Sequence, residues 1–217
     1  MCGRFILTDL SVILERFDVA ESALAPLPSG DFLPGQAVPA VICAGGKRRL
    51  GTLRWGLVPA WAKDPAVGGR MFNARAETLS EKPSFQEAFR KRRCLIPAEG
   101  FYDWRGEKGK KQAVRFRLRS GEPFALAGLY DTWRSPVGEK LHTCTIVTTE
   151  PNELIAPVHN RMPVILTRES EALWLDPAIM EPAALLPLFK PFPADQMVME
   201  ATGPALASRS PSGSSIP

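Results

Sequence analysis

The chain has 217 residues, 45% of them hydrophobic and 23% charged, and its 27 Lys and Arg against 23 Asp and Glu leave a net charge of +4. That balance fits one soluble globular domain with a sizeable core and excludes fibrous or low-complexity chains. The small basic excess is compatible with an anionic partner. No apolar run approaches membrane-spanning length, no basic-then-apolar leader opens the chain, and the four cysteines lack a C-x-x-C pair, so a cytoplasmic protein with free thiols and no metal or cofactor is expected.

In chain order, residues 2–7 read as a short strand. A helix over 9–17 follows, with Leu10, Ile13, Leu14 and Phe17 at helical spacing behind the cap candidates Thr8 and Asp9. Residues 25–39, rich in Pro and Gly, read as a loop. Strands are expected over 38–43 and 49–57 around the Gly45-Gly46 turn, then a loop over 59–70. Pro83 opens a helix over 83–90. Four strands follow, over 94–104, 112–118, 124–133 and 141–148, the first two joined by a polar turn at 106–110. Helices are expected at 170–175 and 182–189, and the Ser-rich residues 208–217 have the composition of a disordered tail. The fold class is therefore α+β: a single domain, residues 1–207, of mainly antiparallel strands in a barrel-like sheet with a few short helices.

Cys2 carries the clearest chemical promise. Removal of Met1, favoured by the small side chain after it, leaves an α-amine and a thiol on one carbon skeleton. Their ordinary pKa values, about 7.7–8.0 and about 8.5, keep both partly nucleophilic near neutral pH. Such a 1,2-aminothiol suits an aldehyde: the amine forms an imine and the sulfur closes a five-membered thiazolidine. It also suits acyl transfer, with the amine as base. Cysteines are equally among the most buried residue types, and the residues alone leave both readings of Cys2 open. Cys43, Cys94 and Cys144, each inside an apolar strand, read as core.

Three segments bring polar groups that are candidates to join Cys2. In Phe72-Asn73-Ala-Arg75-Ala-Glu77, the amide both donates and accepts, and the guanidinium suits a phosphate. In Pro97-Ala-Glu99-Gly-Phe101-Tyr-Asp103-Trp104, the two acids share a face if the strand is unbroken, although Gly100 can introduce a bulge. In Pro157-Val-His159-Asn-Arg161-Met-Pro163, a stiff loop offers His159 for proton transfer. His142, in a strand, reads as structural. Trp55-Gly-Leu-Val-Pro59-Ala-Trp61 places a tryptophan in a loop, where it either stacks on bases or covers the core edge. Each segment alone also fits a plain surface.

Taken together and in this order, Met-Cys-Gly-Arg-Phe, Trp55-Gly-Leu-Val-Pro, Phe72-Asn-Ala-Arg-Ala-Glu-Thr, Arg93-Cys-Leu-Ile-Pro-Ala-Glu-Gly-Phe-Tyr-Asp-Trp and His159-Asn-Arg-Met-Pro resemble the SOS-response-associated peptidase (SRAP) family, the abasic site processing proteins. The resemblance implies a sensor that removes its own Met1 and crosslinks Cys2 to the aldehyde of an abasic site in single-stranded DNA as a thiazolidine; capture of one lesion needs only a monomer, which is the expected state. It further implies that Asn73 positions the amine or opened sugar and that His159 assists sugar opening. Arg75 and Arg161 would hold phosphates, Trp61 and Pro34 would abut bases, and Arg4 is counted with the DNA-binding residues. The family's Ala-Asp-Gly-Phe-Tyr-Glu-Trp pattern has its acids interchanged in length here, so Asp103 is the expected acid–base partner and Glu99 the alternative. Ala201 to Arg209 also matches the family's C-terminal segment poorly. Two other functions remain open: an N-terminal-nucleophile (class II) glutamine amidotransferase, and a non-covalent single-stranded DNA binding module.

Overall fold

The computed structural model describes residues 2–22, 27–106 and 112–202. The 106–110 turn and the 208–217 tail therefore fall largely or wholly outside the described residues. The strands are β1 (Phe5–Leu7), β2 (Glu21–Ser22), β3 (Gly30–Phe32), β4 (Ala37–Ala44), β5 (Lys47–Trp55), β6 (Asn73–Arg75), β7 (Arg93–Ala98), β8 (Gly100–Arg105), β9 (Gln112–Leu118), β10 (Phe124–Arg134), β11 (Lys140–Thr149), β12 (Met162–Pro163), β13 (Ile165–Leu166) and β14 (Met197–Ala201). The α-helices are α1 (Ile13–Arg16), α2 (Gln86–Lys91) and α3 (Arg168–Leu175).

Two sheets divide these strands. A five-stranded sheet runs β14-β9-β8-β1-β3, and a nine-stranded one has the path β12-β11-β10-β7-β4-β5-β2. In the second, β5 also pairs in parallel with β11, through Arg54 opposite Thr143 and Trp55 opposite Cys144, which closes β5, β4, β7, β10 and β11 into a ring. Closure removes sheet edges and gives the α+β, barrel-like class expected from the strand-rich pattern. Buried apolar side chains cover both faces of the ring's strands, Val41, Leu95 and Leu129 on one face and Ile96, Leu126 and Ile146 on the other.

Several expected elements change shape. The 94–104 strand is cut at Glu99: β7 lies in the ring and β8 in the other sheet, so the chain changes sheets at this bend. Gly100 is needed there because a Cβ would meet the Phe116 carbonyl oxygen at 2.9 Å. The 25–39 loop contains β3, which pairs with β1 through Phe5 opposite Phe32 and Ile6 opposite Asp31. The 9–17 helix keeps only the single turn of α1, because Asp9 bonds Ser11 locally instead of capping a longer helix. Residues 182–189 form a 3-10 helix with Pro187 inside it, consistent with proline's missing N–H. Pro83 precedes α2 instead of opening it.

Two buried charges, Glu171 and Arg93, are met by several partners each. Glu171 of α3 is 1% exposed and takes both arms of Arg16, at 2.7 and 3.2 Å, with Arg48 at 3.7 Å. Arg93 sends four hydrogen bonds to the carbonyls of Phe89, Arg90, Trp174 and Asp176, pinning α2 and α3 to β7.

Candidate functional site

Cys2 leads into β1, an inner strand of the five-stranded sheet, so the N-terminus is delivered along a paired strand. The antiparallel register with β8 places Phe5 opposite Phe101, and the Tyr102 N–H donates to the Arg4 carbonyl at 2.9 Å. Continuing that register brings Asp103 alongside Gly3 and Cys2. Cys2 is 2% exposed, and its thiol is pushed up to about 12, first by loss of solvent and then by the Asp103 charge. Asp103 is buried, with its Oδ1 accepting the Trp104 N–H at 2.9 Å.

Asn73 reaches the same point from the nine-stranded sheet. It begins β6, which lies parallel to β11 with Asn73 opposite Ile146 and Arg75 opposite Thr148. Its Nδ2 donates to the Cys2 carbonyl at 2.8 Å, while its Oδ1 is buried without a hydrogen bond. The opposite orientation of β12 on β11, Thr148 opposite Pro163 and Thr149 opposite Met162, carries the His159–Arg161 turn to the same strand end. His159 is half-buried, and its Nδ1 accepts the Arg161 N–H at 2.9 Å. A neutral ring then carries its proton on Nε2.

The expected site residues do not all arrive together. Glu99 sits at the far end of β1 from Cys2, where Oε1 accepts the N–H groups of Thr8 and Asp9 at 3.0 and 2.8 Å and Oε2 accepts the Thr8 hydroxyl at 2.7 Å. The unbroken strand that would have aligned it with Asp103 does not exist. Arg4 is 3% exposed, paired with Asp31 at 2.6 Å and stacked over Tyr102, a setting that fixes β1. Arg161 forms a two-pronged pair with Glu77, at 2.6 and 2.9 Å, and this holds the Glu77 carboxyl below its usual range. Arg75 is exposed. Pro34 is half-buried in a turn whose Gly35 N–H donates to the Trp55 carbonyl at 2.7 Å.

Trp61 is 64% exposed, although residues 55–59 and Ala62 around it are buried. Its loop is tied to the β10–β11 hairpin. The Val58 N–H donates to Thr143 Oγ1 at 2.9 Å, the Ala60 N–H to Asp131 Oδ2 at 3.0 Å, and Trp133 Nε1 to the Ala62 carbonyl at 2.7 Å. The role of Asp131 was not legible in the sequence, because a lone acid in a strand announces nothing.

Residues 1–208 match the family model described as SOS response associated peptidase (SRAP). The chain belongs to this family. The abasic site processing protein YoqW of Bacillus subtilis is 47% identical over 205 residues, covering 91% of this chain and 90% of the relative. The abasic site processing protein HMCES of Gallus gallus is 33% identical over 170 residues, 67% of this chain and 50% of the relative. Among solved structures, a protein from Bacteroides thetaiotaomicron superposes with a TM-score of 0.86 at 27% identity, covering 97% of this chain and 96% of that one. A protein from Bordetella bronchiseptica gives 0.81 at 27% identity, covering 93% and 100%.

Among the described residues, no group of three or more His, Cys, Asp or Glu side chains could hold a metal ion, and no helix is long and apolar enough to cross a membrane.

Proposed function

We propose that this chain processes abasic sites, capturing them in single-stranded DNA through Cys2 once Met1 is removed. The observation that carries the reading is the Asn73 bond to the Cys2 carbonyl, which fixes the backbone of the one residue able to offer a thiol and an α-amine together. The names of the relatives point to the same lesion.

The chemistry balances without a cofactor. The α-amine of Cys2 adds to C1′ of the ring-opened sugar, and loss of water gives an imine. The sulfur then bonds to that carbon as the C=N pair moves to nitrogen, and the thiol proton ends on nitrogen. The product is a thiazolidine, with one water released per crosslink. Asp103 and His159 serve the proton transfers, and the buried Oδ1 of Asn73 is an acceptor for the freed amine. Self-removal of Met1 belongs to the same proposal, as does a monomer working on DNA in the cytoplasm.

The test is incubation of the processed chain with single-stranded DNA bearing one abasic site, followed by a denaturing gel. A shifted band lost in Cys2→Ala, and equally lost when Met1 is retained, is expected. DNA binding that salt abolishes, with no band at any time, would replace this reading with a simple binding module.

A further inference from the structure

A single exposed indole is ordinary on a protein surface, and a loop that shows one is commonly mobile enough to reorient it. Here the backbone gives Trp61 no such freedom. Gly56 and Gly68 lie so close that a Cβ on Gly56 would meet the Gly68 carbonyl oxygen at 2.6 Å, and the Gly56 N–H donates to the Cys144 carbonyl at 2.8 Å. Val58, Ala62 and Trp133 form a small apolar cluster beneath the loop, joined by Val67 and Leu141.

The residue directly before Trp61 has its N–H held by Asp131 Oδ2. Asp131 is 6% exposed, its Oδ1 accepts the Thr132 N–H at 2.8 Å, and Arg92 Nε lies 3.2 Å from the same oxygen. Asp131 and Trp133 alternate along β10, so both face the loop. A carboxylate this buried normally serves a structure or a ligand, and this one spends an oxygen on a single loop N–H.

We infer that Asp131 is a positioning residue that holds the Trp61 loop as a rigid stacking shelf for a nucleic-acid base. The inference rests on the reading of this chain as a single-stranded DNA binder. A pre-set shelf avoids the ordering cost that a mobile loop would pay at each encounter, so Asp131 governs affinity and leaves the chemistry at Cys2 alone. Through the Trp61 loop, the chain distinguishes stackable single strands from duplex, whose bases are already stacked.

The experiment uses a fluorescein-labelled single strand carrying a tetrahydrofuran abasic analogue, which has no aldehyde, and reads equilibrium binding by anisotropy. Base–aromatic stacking predicts that Trp61→Ala weakens binding about tenfold. Asp131→Ala should weaken it similarly, and the double variant should be no weaker than either single one. Asp131→Asn, which keeps the volume and can still accept one hydrogen bond, should fall between wild type and Asp131→Ala, and it serves if the alanine variant does not fold. Wild-type affinity in both Asp131 variants, or losses that multiply in the double variant, would overturn the inference. Crosslinking to a true abasic strand at saturating DNA should stay within about twofold of wild type in Asp131→Asn, and a collapse of that saturated rate would also overturn it. A wild type that binds the analogue but never crosslinks would end the capture proposal and leave the shelf standing.

Discussion

Asn73 and Cys2, 71 residues apart in sequence, are joined by a 2.8 Å hydrogen bond from Nδ2 to the Cys2 carbonyl. One partner comes from β6 of the nine-stranded sheet and the other from the segment leading into β1 of the five-stranded sheet, so this contact registers the two sheets at Cys2. Asn73→Ala should slow crosslinking at saturating abasic DNA by about 10²-fold, in line with misplacement of a reacting group. Single-turnover gel kinetics measure it, and an unchanged rate would remove Asn73 from the machinery.

The two acids can now be separated. Glu99 is fully engaged at the Thr8–Asp9 turn, whereas the Asp103 charge is felt at the Cys2 thiol. Asp103→Asn should therefore slow crosslinking by about 10²-fold or more, the usual range for a lost acid–base group. Glu99→Gln should leave the saturated rate within about twofold and lower the melting temperature by a few degrees, as expected for about 1 kcal/mol of lost turn bonding. The reverse order of rates would move the acid to Glu99.

In the form that retains Met1, the thiol of Cys2 is held near 12 by burial and by Asp103. A raised thiol pKa keeps the group neutral up to that value, so the thiolate fraction rises about tenfold per pH unit right across the range from 8 to 10. Carbamidomethylation of Cys2, followed by mass spectrometry, should climb without a plateau up to pH 10. A plateau near pH 9 would mean that the thiol is solvated. Linkage has the same sign: above about pH 9 the unfolded thiol ionises while the folded one does not, so stability is lost as pH rises toward 12.

Glu171 supplies a stability test remote from Cys2. Glu171→Ala strands Arg16 with Arg48 beside it, and should cost about 3–5 kcal/mol in chemical denaturation, the range for a broken buried pair. Crosslinking by the remaining folded protein should be unaltered. A loss under 1 kcal/mol would mean that water relieves the arginines.

The strand-rich class was legible because the expected strands at 124–133 and 141–148 hold runs, 124–129 and 143–148, that are interior on both faces. Short elements were not. The three-residue β3 is carried by its pairing with β1 and not by any pattern of its own, and the break at Glu99 comes from a sheet-to-sheet crossing that alternation cannot encode. At the candidate site, motif order put Cys2, Asn73 and Asp103 on the same short list, and the structure brings them together. The pairing of Arg161 with Glu77, the burial of Arg4 on Asp31 and the hold of Asp131 on Ala60 depend on partners 84, 27 and 71 residues away, beyond any local reading.

The inner place of β1 has a mechanical side. Phe5 and Ile6 are bonded to β8 on one flank and to β3 on the other. A DNA strand joined to Cys2 would pull lengthwise on a strand gripped from both sides, a loading that shears several hydrogen bonds at once instead of unzipping them singly. Tension on such a crosslink would therefore pass into the sheet as a whole, and a machine extracting the adduct from the DNA end would have to dismantle the domain before the chain end gave way.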